Sequence, residues 1–98
     1  MKPKLNQKVY VLEEYGYLNI AKDFFITPER AAFLGKQSFV VEGHEDKVPS
    51  EWPYEGFGET WFASLAAAKE HAEKIAKRKL KWHRWSNGMH STMEEEDY

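Results

Sequence analysis

The sequence predicts an α+β fold in which a small, curved antiparallel sheet forms an incomplete barrel and a long C-terminal helix packs against it. Between residues 8 and 63, short runs of β-branched and aromatic residues alternate with segments that contain glycine or proline, which is typical of strands and turns. From residue 65 onward, apolar residues recur at helical spacing. The 98 residues include 4 Trp, 5 Tyr and 6 Phe, which supply enough apolar area for one domain of this size.

The first two strands are predicted to form a hairpin. Residues 8–13 (Lys-Val-Tyr-Val-Leu-Glu) have the β-branched and aromatic composition of a strand. The turn follows at Tyr15-Gly16-Tyr17, because glycine adopts a positive φ without steric cost. Residues 18–26 form the second strand. Four of its apolar side chains share one face at a period of two: Leu18, Ile20, Phe24 and Ile26.

A short helix is predicted near residues 28–34. Thr27 has a side chain that caps helices, Pro28 suits the first helical position, and Glu29 interacts favourably with the positive end of the helix dipole. Gly35 then supplies a C-terminal stop after one or two turns.

Two further strands and one loop are predicted in the middle of the chain. Residues 37–42 (Gln-Ser-Phe-Val-Val-Glu) form a strand that ends at Gly43. Residues 44–58 contain two prolines, two glycines and no periodic pattern, so we expect a loop close to the longest that compact domains carry without structure. Residues 59–63 (Glu-Thr-Trp-Phe-Ala) form the last short strand.

The long helix is predicted over residues 65–85. Ser64 caps its N-terminus, and Ser86-Asn87-Gly88 ends it. Six apolar side chains form one stripe that faces the sheet: Leu65, Ala68, Ala72, Ile75, Ala76 and Leu80. The sheet contributes the facing core side chains, which we expect to include Phe24, Phe39, Val41, Trp61 and Phe62.

We predict a single α+β domain over residues 1–85 and a disordered acidic tail over residues 86–98. The tail ends in Glu-Glu-Glu-Asp-Tyr, a run of like charge without apolar periodicity. The chain has no cysteine and therefore no disulfide framework or thiolate metal site. It shows neither the apolar run of a membrane span nor the apolar core of a signal peptide, so we expect a cytoplasmic protein without membrane contact.

Three pieces of the chain carry a resemblance to a known group of proteins: residues 8–11, residues 39–42 and residues 59–69. With these pieces the chain resembles small, mostly uncharacterised proteins of Gram-positive bacteria and their phages, in which SH3-like strands precede one C-terminal helix. The resemblance covers residues 8–80 and implies an incomplete SH3-like barrel. It brings no catalytic motif and assigns no functional residue.

The strongest charge asymmetry lies on the predicted long helix. Residues 61–85 contain seven Lys/Arg and two Asp/Glu, although the whole chain has a net charge of −2. Five cations fall within a sector of roughly 120° at about 100° per residue. They are Lys74, Lys77, Arg78, Lys81 and Arg84, with Trp85 on the same side. Cations beside an aromatic ring favour single-stranded nucleic acid, whereas the helix macrodipole and solubility favour the same cations without any partner.

A second candidate surface lies in the predicted loop. Trp52, Tyr54 and Phe57 stand beside Pro53, and aromatic side chains held by proline in an irregular segment are enriched at protein interfaces. The alternative is a lid, in which Trp52 and Phe57 fold over the open end of the barrel. The two roles are compatible.

Metal binding and catalysis find little support in the sequence. His44-Glu45-Asp46 offers three ligand types, but sequence neighbours rarely converge on one ion. His71 and His83 are too far apart on the predicted helix to share a metal. The sequence contains no nucleophile elbow, phosphate-binding loop or zinc-protease motif. We therefore expect no enzyme, no cofactor and no metal.

The leading interpretation is a small non-catalytic interaction module, a phage or bacterial accessory protein that binds a protein partner through Trp52, Tyr54 and Phe57. The alternative is an accessory nucleic-acid-binding protein that uses the basic face of the C-terminal helix. A third class, a small-molecule binder, requires a concave pocket in the barrel mouth. Unpaired sheet edges in so small a structure also allow a homodimer.

Overall fold

The computed structural model describes residues 1–16, 23–43 and 48–92, and these form seven strands and one α-helix. The elements are β1 (Lys8–Tyr15), β2 (Asp23–Leu34), β3 (Ser38–Val41), β4 (Ser50–Pro53), β5 (Trp61–Phe62), α1 (Leu65–Ala76), β6 (His83–Arg84) and β7 (His90–Ser91). A single 3-10 turn covers Tyr54–Gly56. The small, curved antiparallel sheet with a helix against it agrees with the predicted α+β class.

The strands pair in the order β4-β3-β2-β1-β5, and β7 pairs with both β2 and β6. β1 and β2 form the central hairpin, in register from Lys8↔Arg30 to Tyr15↔Asp23. The predicted hairpin is therefore confirmed for its first strand and for residues 23–26 of its second strand. Tyr15, which the sequence places in the turn, belongs to β1 and pairs with Asp23, so the turn prediction is wrong at this residue. The part of the second strand expected over residues 18–22, with Tyr17 of the turn, lies outside the described residues.

Both faces of the β1–β2 hairpin are buried, each by a different part of the chain. On one face, the barrel-side core consists of Val9, Ala31, Phe39, Val41, Tyr54 and Trp61. On the other face, the helix-side core consists of Leu12, Phe24, Ile26, Phe62, Ala68 and Ala72. All five side chains that the sequence assigns to the core facing the helix are at most 3% exposed, so their burial is confirmed. Only Phe24 and Phe62 lie on the helix side, however, whereas Phe39, Val41 and Trp61 belong to the barrel-side core, so the prediction that these three face the helix is wrong.

Residues 28–34 do not form the predicted short helix, and that prediction is wrong. They continue β2, where Glu29 and Ala31 are buried and Arg30 is exposed, the alternation of a strand. Pairing with β1 on one side and β3 on the other outweighs the local capping signals that favoured a helix.

Pro28 fits into this strand because its nitrogen faces a gap in the sheet. The Arg30 carbonyl accepts from the Glu42 N–H at 3.4 Å, so the backbone groups of Arg30 face away from β1. Alternate residues of a strand direct their backbone groups to the same side, so the nitrogen of Pro28 also faces away from β1. On that side, β3 pairs only with residues 31–34 and β7 only with residues 25–26. No strand of the described residues pairs there with residues 27–30, so the missing N–H of proline costs no ladder hydrogen bond.

The predicted loop over residues 44–58 is partly regular. Ser50–Pro53 forms β4 along β3, and the 3-10 turn follows at once. The loop prediction is therefore wrong for these residues, because the short pairing with β3 has no periodic signature in a segment of two prolines. Residues 44–47 lie outside the described residues.

The long helix predicted over residues 65–85 spans only Leu65–Ala76, so its C-terminal part is wrong. Its start is confirmed, since the Ser64 side chain accepts from the Ala67 N–H at 3.2 Å. Lys77 ends the helix in the left-handed conformation, with φ of 59°.

The chain reverses after Lys77 because Leu80 and Trp82 pack against the helix-side core. The Glu73 carboxylate accepts from the Leu80 N–H at 2.8 Å and fixes this reversal. A continuous helix would carry Trp82 away from the sheet, and burial of a large ring contributes more than the local helix propensity of a few lysines.

Residues 83–92 form a hairpin against β2, where the sequence predicts the end of the helix and a disordered tail. β6 pairs with β7, β7 pairs with Phe25 and Ile26, and Gly88 turns the chain with φ of 88°. The domain boundary expected after residue 85 falls inside this hairpin, so residues 86–92 belong to the folded domain. Residues 93–98 lie outside the described residues.

Replacing Lys77 with glycine is expected to stabilise the fold by about 0.5–1 kcal/mol, because glycine adopts this left-handed conformation without the strain of a Cβ atom. Urea unfolding followed by tryptophan fluorescence gives the free energy of unfolding. Lys77→Ala removes the same charge but keeps the Cβ atom, so it is the control and gains nothing. An equal gain in both variants would assign the effect to the lost charge.

Replacing Ser91 with alanine is expected to destabilise the fold by about 1–3 kcal/mol, because the Trp85 Nε1–H then loses the Ser91 Oγ acceptor that lies 2.7 Å away. Ser86→Ala in the exposed turn of the same hairpin is the control and stays within about 0.5 kcal/mol of the parent chain. Equal losses in the two variants, measured by the same unfolding experiment, would contradict this role of the Ser91 hydroxyl.

Candidate functional site

A groove remains open at one end of the helix-side face of the β1–β2 hairpin. Its floor consists of two cross-strand pairs, Lys8↔Arg30 and Tyr10↔Pro28. Side chains two residues apart along a strand share a face, so these four lie on the same face as Leu12 of the helix-side core. We call this feature the β1–β2 groove.

The smaller hollow of the β1–β2 groove has a volume of ≈ 350 Å³ and lies between the start of α1 and the β6–β7 hairpin. Its lining consists of Lys8, Tyr10, Pro28, Leu65, Arg84, Gly88 and His90. The ionisable side chains among these are three nitrogen bases and one phenol, and no carboxylate of the described residues lines the hollow. This hollow is therefore suited to an anionic group.

The larger hollow, of ≈ 470 Å³, continues the groove and shares Lys8, Pro28 and Gly88 with the smaller one. Its other lining residues are Asn6, Glu29, Arg30, Glu42, Gly43 and Asn87. The Arg30 guanidinium donates to the Glu42 carboxylate and to Asn6 Oδ1. Because its two cations, Lys8 and Arg30, are equal in number to its two carboxylates, Glu29 and Glu42, this hollow is polar but close to neutral.

The β6–β7 hairpin forms one wall of the groove because its turn lies directly on the floor. A Cβ atom at Gly88 would lie 3.4 Å from Pro28 Cγ, about the distance of an ordinary van der Waals contact, so the turn and the floor are neighbours. The positive φ of 88° is the feature of this turn that favours glycine. Arg84 and His90 are directly opposite each other in the hairpin. The cross-strand pairing therefore holds two nitrogen bases side by side at the smaller hollow.

His90 experiences the positive charge of this region. Burial, followed by the positive charges of Lys69 and Arg84, holds the pKa of His90 below its ordinary value of 6.5. The Lys69 ammonium lies 5.9 Å from the centre of the Trp82 ring in a cation–π contact. His90 is consequently a neutral imidazole at pH 7, and an anion in the hollow would favour its protonated form.

The three aromatic residues predicted as a contact surface lie in different environments. Trp52 is half-buried against the barrel-side core. Tyr54 is 8% exposed, and its hydroxyl donates to the Gly35 carbonyl at 2.7 Å. Phe57 is 37% exposed and lies 4.8 Å, ring centre to ring centre, from Trp61. These contacts fit the lid interpretation, with Phe57 as the ring that remains partly accessible.

The cations predicted to share a helix face are dispersed, because the helix ends before most of them. Lys74 lies in the last turn of α1, Lys77 follows it, and Arg78 and Lys81 lie between α1 and β6. Arg84 is the only member of the predicted set that lines the β1–β2 groove in the described residues.

Trp85, the aromatic member of the predicted nucleic-acid surface, lies in the β6–β7 turn and donates to Ser91. Lys8 and His90 were missed as site residues by the sequence reasoning. Their assignment depends on the pairing of β7 with β2, which no local sequence pattern indicates.

The histidines do not gather into a metal centre within the described residues, where no group of three or more His, Asp or Glu side chains could hold an ion. His71 lies 5.5 Å from the Phe62 ring centre, His83 belongs to β6, and His90 lines the groove. The predicted His44-Glu45-Asp46 cluster lies outside the described residues.

Comparison with protein families, curated proteins and solved structures finds no match to this chain. The resemblance to small SH3-like proteins of Gram-positive bacteria and phages therefore stays a prediction. In the described part of the chain, no helix combines the length and the apolar composition needed to cross a membrane.

The His90 ring is expected to titrate below pH 6.5, and Lys69→Gln or Arg84→Gln is expected to raise its pKa, because each removes a positive charge that disfavours the imidazolium. Histidine ring resonances followed by NMR give this value directly. The unfolded chain binds the proton more readily, so this group lowers stability as the pH falls below 6.5. Lys36→Gln in the distant β2–β3 turn is the control. An unchanged His90 pKa in all three variants would contradict the assignment.

Proposed function

We propose that this chain is a small non-catalytic interaction module whose partner places an anionic group in the β1–β2 groove. The observation that carries this function is the smaller hollow, where Lys8, Arg84 and His90 from three strands line one space. The interaction module is the one that the sequence predicts, but it uses a different surface from the aromatic segment.

Lys8 and Arg84 have no carboxylate partner within the described residues, and this supports an anionic partner. Within the described residues, neither Lys8 nor Arg84 forms a salt bridge, whereas the nearby Arg30 is paired with Glu42. Burial and the positive charges of Lys69 and Arg84 disfavour the protonated form of His90. An anion in the hollow would favour that form and accept hydrogen bonds from it, and each charge-assisted hydrogen bond contributes about 1.5–3 kcal/mol.

The apolar walls of the hollow strengthen such an interaction. Tyr10 and Leu65 both pack against the helix-side core and line the hollow together with Pro28. These side chains offer contact area to an apolar part of the partner, while the exposed Lys8 and Arg84 offer positive charge to its anionic group. The positive charge is local, so the net charge of −2 of the whole chain is compatible with an anionic partner.

Inorganic phosphate, added in an NMR titration of the ¹⁵N-labelled protein, is expected to shift the amide resonances of Lys8, Gly88 and His90. Arg84→Gln weakens this binding by about tenfold, or about 1.4 kcal/mol, because a charged hydrogen-bond donor is lost. Lys36→Gln removes the same charge from a turn outside the groove and leaves the affinity unchanged. Equal weakening in both variants would indicate diffuse attraction and contradict a site in the groove.

A further inference from the structure

We propose that the anionic partner is a nucleoside monophosphate, with its phosphate in the smaller hollow of the β1–β2 groove and its nucleoside in the larger one. This inference rests on the proposed function, since it names the chemistry of the anionic group. The nucleotide can be free or can form the phosphorylated end of a nucleic-acid strand, because both present the same phosphate and the same adjoining base.

The smaller hollow fits a phosphomonoester better than a carboxylate. A phosphomonoester carries a charge of about −1.5 to −2 at pH 7 and three acceptor oxygens, whereas a carboxylate carries one charge and two oxygens. Lys8, Arg84 and His90 come from β1, β6 and β7 and line the hollow together. Donors from three strands match three phosphate oxygens, and the Arg84 guanidinium can contact two of them.

The larger hollow fits a neutral, planar and polar group. Its charges are balanced by the Arg30–Glu42 pair, and Asn6 and Asn87 add amide groups. The Pro28 ring lies on the floor at the junction of the two hollows, where it offers an apolar surface to a flat ring. A nucleobase has such a surface together with hydrogen-bonding edges, and ≈ 470 Å³ is within the usual range for small-molecule sites.

The same hollow offers no net positive charge to a second anionic group. Glu29 and Glu42 line it together with Lys8 and Arg30, so a further phosphate or a neighbouring acidic side chain would find no excess of cations next to the occupied smaller hollow. A single phosphate at the end of a ligand satisfies the charge pattern, whereas the interior of a nucleic-acid strand or an acidic peptide does not. The groove therefore selects a terminal phosphate.

The test is an NMR titration of the full chain with adenosine monophosphate, uridine monophosphate, adenosine and inorganic phosphate. A nucleotide is expected to bind at least tenfold more tightly than inorganic phosphate and to shift resonances in both hollows, including Gly43 and Gly88. Arg84→Gln weakens phosphate and nucleotide alike. Pro28→Ala weakens the nucleotide about threefold more than inorganic phosphate, because only the nucleotide has a flat ring to place on the proline. The new N–H of alanine faces the gap beside residues 27–30, so the pairing with β1 is kept.

Two oligonucleotides of the same sequence, with and without a 5′-phosphate, distinguish the free nucleotide from the strand end. Tight binding of the phosphorylated strand alone assigns the site to strand ends, and tight binding of the free nucleotide alone assigns it to the small molecule. Tight and equal binding of the two strands would show that the terminal phosphate is not recognised and would overturn the inference.

If nucleotides bind no more tightly than inorganic phosphate, the inference that the ligand is a nucleotide is also wrong. The anionic site of the proposed function would stand in that case. If a Glu-Glu-Glu-Asp peptide binds the groove more tightly than a nucleotide, the nucleotide inference is wrong and the ligand is an acidic peptide. If none of these probes shifts a resonance of the groove, both the nucleotide and the proposed function are wrong.

Discussion

β1 and β2 pair along the whole length of β1 and carry buried apolar side chains on both faces. A two-stranded ribbon has no stability of its own in water, so each face has to be covered by another part of the chain. β3, β4 and the 3-10 turn cover one face through Phe39 and Tyr54. α1 and the segment after it cover the other face, through Ala68 and Ala72 and then Leu80. This double burial explains why a chain of 98 residues needs so many aromatic side chains.

The β1–β2 groove exists because the elements that pack on the hairpin leave part of its helix-side face uncovered. α1 covers the helix-side face only from Leu65 onward, and β7 pairs with only two residues of β2. Between β7 and β3, residues 27–30 have no strand beside them on that side in the described part of the chain. Pro28 lies in this gap, and a proline there prevents another strand from pairing at its nitrogen. The gap between β7 and β3 therefore explains both why a proline is tolerated at position 28 and why the groove is open there.

The sequence predicts the parts of this fold that depend on local patterns. The strands at residues 8–13 and 37–42 and the cap at Ser64 follow from composition and from side-chain chemistry, and the structure contains all three. The strand over residues 28–34 and the hairpin over residues 83–92 could not be predicted in this way, because pairing with distant strands determines them. Local helix signals at both places are real but small beside the burial gained by pairing.

The candidate site is even less visible in the sequence. The sequence pattern places Arg84 on a helix face, whereas in the structure Arg84 lines a hollow together with Lys8 from the other end of the chain. A residue is recognised as part of such a site only when its neighbours in space are known, and here those neighbours depend on the β6–β7 hairpin. Charge patterns along the sequence therefore indicate the basic region but not the residues that lie beside Arg84 in space.

The surroundings of the smaller hollow disfavour a further positive charge on the hairpin that lines it. Arg84 lies directly opposite His90, and the lowered pKa of His90 records the unfavourable environment for a further positive charge. An anion in the hollow would offset this effect, because a negative charge favours the protonated form of His90. A group whose charged form is disfavoured inside the fold is typical of a binding site, where the ligand provides the compensation. The same reasoning links binding to stability, because an anion that binds only the folded chain stabilises the β6–β7 hairpin in proportion to its occupancy.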